Sequence, residues 1–453
     1  MKTSKKWMYI ISVTLGALAI VALRPFGTDI RQAAILAVVA AGIACWTFKL
    51  FHKTLISAAI VVALFLLQSA PTEKLLTFPL SSTFPMILLC YLFSRGISNS
   101  GITPMVVDPL LVRYAKTPVK IILISIVTLL LTIYAIPQPL VRLITIAQIL
   151  SAFLDRTNAS GKTKQLLMFA LFEFYIIVNA AFLDADIIFN TSAVGFAGIN
   201  MTSWEWMRYM TVPTTAYCAA SVMLFVFLYR KDLLGIQIKI NSASEAPRTA
   251  FNKKQKRVVA IVVITILFWI TKPVHHISEN IITLIAVIAM YLLRILKPKD
   301  IDSIDITTLV FLTAAYSIGG AITCSGTAEK LMSAVSHLLP DKFGTGYILI
   351  LVAISMILHF LLGSNTTALS VAIPGLMAVS QGVCDPAALT LIVYVSLVPH
   401  HLLPFHCIGL AIGEGNGYFK GDLIYKFGLP MMGMILFALF ALYIPWWNFI
   451  GLL

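Results

Sequence analysis

Gly363-Ser364-Asn365-Thr366-Thr367-Ala368-Leu369-Ser370, followed by Pro374, sets a run of small hydroxyl and amide side chains between two apolar stretches, 345–362 and 386–400. On the surface of a soluble protein this would be an ordinary loop. Between segments that enter a bilayer it is a polar interruption, in a place where backbone groups have no water to bond. Irregular backbone survives at that depth only where it lines a cavity or is packed by protein. Its hydroxyls and amide offer neutral oxygens to a cation, and donors to a carboxylate or sulfate. The reading therefore turns on whether the flanking stretches span a membrane.

Composition says that they do. Of 453 residues 59% are hydrophobic and only 11% charged, with a mean hydropathy of +0.93. A soluble domain carries about 25% charged residues. Apolar blocks fall at 7–23, 33–50, 54–70, 82–98, 119–135, 165–182, 206–229, 258–271, 279–297, 306–324, 345–362, 386–400 and 424–446. Many approach the roughly 20 residues a helix needs to cross the hydrocarbon. The short alternating segments of a β-barrel are missing. The expected class is an all-α polytopic membrane protein, multi-pass in a cell (plasma or inner) membrane.

The net charge of +14 does not point to nucleic acid, because the cations lie in topological positions. Lys2, Lys5 and Lys6 precede the first apolar run, and eight cations between Arg230 and Arg257 face only Asp232 and Glu245. Lys and Arg gather on the cytoplasmic side, so the N-terminus and the 230–257 loop are both expected inside. The tail from Ile444 onward is uncharged, and its Trp446-Trp447 pair suits the opposite interface. Six cysteines, among them Cys45, Cys90 and Cys218, stand singly, with no paired spacing for a disulfide or metal framework. They read as small buried side chains. The first run lacks a small-residue cleavage site and reads as a retained helix.

The basic loop divides the chain into 1–229, 230–257 and 258–453. Four apolar stretches are interrupted by Pro, Gly, Asn, Thr or ionisable residues: 136–154, 183–200, 363–380 and 401–416. They centre near 138 and 190 in the first half, and near 366 and 407 in the second. Paired interruptions in corresponding halves point to a transporter binding site. Half-helix N-termini would then present N–H groups and a positive dipole end to an anion. The competing reading is a set of ordinary Pro/Gly kinks and loop ends.

Downstream come Leu402-Leu403-Pro404-Phe405-His406-Cys407 and Gly415-Asn416-Gly417-Tyr418-Phe419-Lys420. With Ser364-Asn365-Thr366 ahead of Pro374, and Trp204-Glu205-Trp206 before a long first-half helix, the chain resembles the divalent anion:sodium symporter family. The resemblance runs the length of the chain and is fullest over 305–445. It implies two inverted-topology repeats, each with a re-entrant hairpin tipped by Ser-Asn-Thr and a broken helix carrying a Thr-Pro-Pro-Asn-like element. It also implies carriage of di- or tricarboxylates or sulfate, sodium as coupling ion, and a homodimer. The departures are specific. Where the first Ser-Asn-Thr belongs, the chain has Tyr134-Ala135-Ile136-Pro137-Gln138-Pro139 and then Arg142. Where the first Thr-Pro-Pro-Asn belongs, it has Asp184, Asp186 and Asn190-Thr191-Ser192; the second is replaced by Cys407-Ile408-Gly409-Leu410. Transport is therefore expected to depend less on sodium than in the family at large.

Ionisable residues at membrane depth are costly and usually functional. Arg142 has two open readings: a fixed charge that binds an anion in place of a bound sodium, or a side chain snorkelling to the interface. Asp184 and Asp186 are two residues apart, so at most one of them serves a cavity unless the helix is unwound there; one could pair with Arg142, bind a cation or carry a proton, and the competing reading is a helix end in headgroup water. His400, His401 and His406 cluster around Pro399 and Pro404. They open a proton-coupled cycle, with His406 as the best-placed candidate. His275 and His276 fall in a short polar connection and read as solvated.

The expected substrate ligands are Ser364, Asn365, Thr366, Thr367, Gln138, Arg142, Asn190, Thr191 and His406. Ser364, Asn365, Thr366, Asp186 and Cys407 are the expected cation ligands. No cofactor beyond a coupling sodium or proton is expected, and the partners are the small anion, the bilayer and a second copy. HExxH, GxSxG and P-loop signatures are absent, which disfavours hydrolases and ATP-driven pumps. An intramembrane enzyme using the aspartates or histidines, and a flux-free receptor derived from a transporter, remain the alternatives to a secondary anion transporter working by symport or exchange.

Overall fold

The computed structural model describes residues 3–48, 50–240, 251–327, 330, 339–362, 365–403 and 406–453. Among these residues there is no strand, only an isolated bridge between Thr157 and Ile240. The main helices are α1 Thr3–Leu23, α2 Ile30–Thr47, α3 Lys53–Leu66, α4 Thr83–Ser100, α5 Ile102–Tyr114, α6 Pro118–Leu131, α7 Pro139–Asp155, α8 Gly161–Asn179, the short α9 Ser192–Ala197, and α10 Ser203–Leu228. After the basic connection follow α11 Lys253–Ile270, α12 Glu279–Leu292, α13 Ile306–Cys324, α14 Thr345–Leu362, α15 Asn365–Val379, α16 Pro386–Leu397, α17 Ile408–Gly415, α18 Asp422–Ala438 and α19 Ile444–Phe449.

Local chemistry sets the ends. Asp29, Thr202 and Asn252 each form a reciprocal capping box with the residue three positions on, starting α2, α10 and α11. Pro118, Pro139 and Pro386 sit at first helical positions, where the missing N–H costs nothing. Two helical stretches, Ser203–Leu228 and Asp422–Phe449, are individually long and apolar enough to cross a membrane. Leu66, Leu131 and Met223 are 79%, 69% and 66% exposed. Such outward apolar faces on a chain with so few charges suit lipid rather than water.

The helix order repeats. The first half runs α6, a turn at 132–138, α7, α8, a non-helical break, α9 and the long α10. In the second, α14, α15, α16, a break that includes 398–403 and 406–407, α17 and the long α18 follow in the same order. The halves interlock through their breaks: α9 packs on α15 and α16, and α17 packs on α8.

Two of the four expected interruptions hold whole helices, the first of them after a turn. Residues 139–155 form one unbroken helix despite Arg142, and 365–379 one helix despite Pro374. Among the described residues the breaks are at 180–186 and, in the second half, at 398–403 and 406–407. The span-free stretch after 98 contains a full helix, α5. The Trp pair divides: Trp447 is buried, donating its indole N–H to Tyr209 O at 3.0 Å, while Trp446 donates to Arg208 O at 2.9 Å. Both thereby tie α19 to α10.

Gly428 of α18 lies where a Cβ would come within 1.9 Å of His401 O, a backbone atom of the second break. Gly428→Ala is expected to destabilise the fold by about 3 kcal/mol or more, since backbone cannot yield as a side-chain tip does. A detergent-solubilised Gly428→Ala protein melting at the wild-type temperature would contradict this close packing.

Candidate functional site

A break in a buried helix frees carbonyls that must be satisfied from within. In the first half the accounting is nearly complete. Asn190 donates from one amide nitrogen to Asn179 O and Phe182 O, both at 2.8 Å. The Trp206 indole donates to Ala180 O at 3.0 Å and the Thr211 hydroxyl to Ala181 O at 2.9 Å. Arg142 donates to Ala185 O at 2.7 Å. Asp186 then starts the next helical segment, accepting from the N–H groups of Ile188 and Phe189 at 3.1 and 3.0 Å. In the second half Asn365 donates to Val398 O at 3.0 Å and contacts the His401 ring nitrogen at 3.1 Å.

These interruptions meet around one cavity of about 430 Å³, within the size range of small-molecule sites, roughly 300–1,000 Å³. Pro139 and Leu140 line it from α7, and Asn365, Thr366 and Thr367 from α15. Asp186, Ile188 and Phe189 come from the first break, and His406, Cys407, Ile408, Gly409 and Ala411 from the second. Lys53 closes another side at the start of α3. Five of these lining stretches are therefore first turns: α3, α7, the segment leading into α9, α15 and α17. The starts of α3 and α17 carry no side-chain cap, so their N–H groups keep the orphan donors of a helix N-terminus.

The charges are arranged with the same bias. The Asp186 carboxylate is consumed by its two backbone donors and approaches the Asn179 amide at 3.5 Å; Asn179 in turn accepts from Arg142 at 2.7 Å. Acid and guanidinium thus offset one another through the amide. Lys53 takes part in none of the described ion pairs, and its ammonium sits 3.5 Å from the Phe311 ring centroid. Among the described lining residues Lys53 is the one Lys or Arg, and it stands beside several helix starts.

Of the expected residues, Asn365, Thr366, Thr367, His406, Asp186 and Cys407 line this cavity. Ser364 and Pro404 lie outside the described residues. Gln138, Arg142, Asn190 and Thr191 are not among its lining residues. Gln138 caps α7 by accepting from Val141 N at 2.5 Å, and Asn190 is spent on the break carbonyls and on Tyr394, whose hydroxyl donates to it at 2.5 Å. Asp184, half-buried in the turn before Asp186, is also outside the lining. Two residues went unread. Lys53 begins a helix, where its charge opposes the positive dipole end; that misfit is the signal that marks it. His359, in the apolar run of α14, is fully buried and lies 3.2 Å from His400 between ring nitrogens, making the histidine group four-membered with His401 and His406.

Residues 3–453 match the family described as the sodium:sulfate symporter transmembrane region. An uncharacterized transporter of Methanocaldococcus jannaschii is 25% identical over 261 residues, which cover 56% of this chain and 56% of that protein. The match thus spans little more than half of that relative's length.

Proposed function

The chain belongs to the sodium:sulfate symporter family, and from that premise we propose that it is a secondary transporter of a small di- or tricarboxylate or of sulfate, working by alternating access. The single observation that carries this is the convergence of five helix first turns and the Lys53 ammonium on one cavity. Helix N-termini attract anions without further machinery, and broken helices at the bilayer midplane are where transporters place them. Thr366 and Thr367 would donate to the anion from one side and Lys53 from the other, while the amide nitrogen of Asn365 stays on Val398 O and the His401 ring. Coupling is by cation symport or anion exchange.

The matched helix order of 1–229 and 258–453 supports an inverted repeat joined by the 230–257 loop. In this reading the loop and the N-terminus face the cytoplasm, the protein sits in the cell membrane, and two copies associate. Purified protein in liposomes tests the function. Labelled sulfate or succinate should accumulate under a sodium, proton or counter-anion gradient, and excess unlabelled anion should suppress it. Vesicles that stay closed to every such anion under all three gradients would end the transport reading.

A further inference from the structure

Arg142 is fully buried, yet it takes part in none of the described ion pairs. A buried charge is normally matched by an opposite one. Here the opposite charge, Asp186, stands one amide away behind Asn179, and the groups in direct contact are neutral oxygens: Ile133 O at 3.3 Å and Ile136 O at 2.9 Å from one terminal nitrogen, and Asn179 Oδ1 and Ala185 O, both at 2.7 Å, from the other. The first two oxygens belong to the hairpin turn before α7, the last to the first helix break. Carbonyl oxygens of unwound segments are what coordinate a coupling cation in broken-helix transporters, and hard cations take all-oxygen ligand sets. The second half has an uncharged counterpart: Asn365, in the first turn of α15, donates to the break carbonyl of Val398.

The family's description names sodium, but in the first half the oxygens that would hold one are already taken. We propose that the guanidinium of Arg142 is a tethered cation standing in the first-half cation place, and that this half binds no coupling sodium. Its charge is present in every state of the cycle and needs no ion from solution. In the transport reading, on which only this consequence rests, the protein uses fewer coupling cations per anion moved.

The test is a melting experiment on the purified full chain in detergent, in sodium chloride and in choline chloride, for wild type, Arg142→Lys, Arg142→Gln and Arg142→Ala. Ligand that binds only the folded state raises the melting temperature. The two neutral variants should gain about 2 °C or more from sodium beyond what wild type gains, and Arg142→Lys, which keeps a cation in place, should respond as wild type does. An arginine that served only as a structural clamp would leave its variants equally weakened in both salts. Equal responses to sodium in wild type and the neutral variants would therefore overturn the proposal. Should Arg142→Ala fold only when sodium is present, that is the expected result in its extreme form; should it fold in neither salt, Arg142→Gln decides by the same comparison. Melting needs no anion flux, so failure of flux in liposomes would sink the transport reading and leave this result standing.

Discussion

Lys53→Ala is expected to weaken anion affinity by about 30–100-fold while leaving the protein folded. A hydrogen bond to a charged group contributes about 1.5–3 kcal/mol, and each 1.4 kcal/mol is roughly tenfold in affinity. Lys53 adds a full charge in a cavity where low-dielectric walls strengthen it. Its loss should not unfold the chain, since the ammonium takes part in none of the described ion pairs and its position at the start of α3 is unfavourable for the helix on its own. Removing it should even relieve that helix slightly. The measurement is half-saturation of sulfate or succinate uptake in liposomes, alongside melting temperature. Lys53→Arg, which keeps the charge, should retain most of the affinity. An unchanged half-saturation in Lys53→Ala would remove Lys53 from the anion site.

Asn365→Ala should reduce flux about 100-fold or more with little change in half-saturation or folded yield, the split expected when an interaction is made in translocation more than in binding. Asn365 is 1% exposed, at the first turn of α15. Its amide nitrogen already serves Val398 O and the His401 ring, whereas its Oδ1 has no hydrogen-bond partner among the described residues, and the residue lines the cavity. A buried carbonyl oxygen left open costs free energy unless a cation or donor visits it. Alanine loses both functions at once: the acceptor for a passing ligand and the tie between α15 and the second break. Asn365→Asp keeps the acceptor and adds charge beside the anion, so its flux should fall as well, with half-saturation rising. Wild-type flux in Asn365→Ala would show that the open oxygen serves packing alone.

The histidines illustrate how far residue order reaches. His400, His401 and His406 are legible as a group because they lie within seven residues. His359 is not, because it stands in an apolar run and joins them only when α14 packs against α16. Arg142 was legible as an ionisable residue at depth, but which way its charge is spent depended on four oxygens from three separate segments.

What the sequence determined alone was the class: apolar blocks with few charges admit only helices in lipid, because each helix satisfies its own backbone. It also determined where that rule fails, since Pro, Gly and small polar side chains mark the interruptions at 183–200 and 401–416. Tertiary structure decided which interruptions are true breaks, that five first turns share one cavity, that Lys53 faces it, and that Arg142 is turned to carbonyls instead. The reason is physical. Backbone satisfaction within a helix is a local matter written in consecutive residues, whereas the partners of a freed carbonyl or a buried charge come from segments far apart in the chain, and only packing brings them within 3 Å.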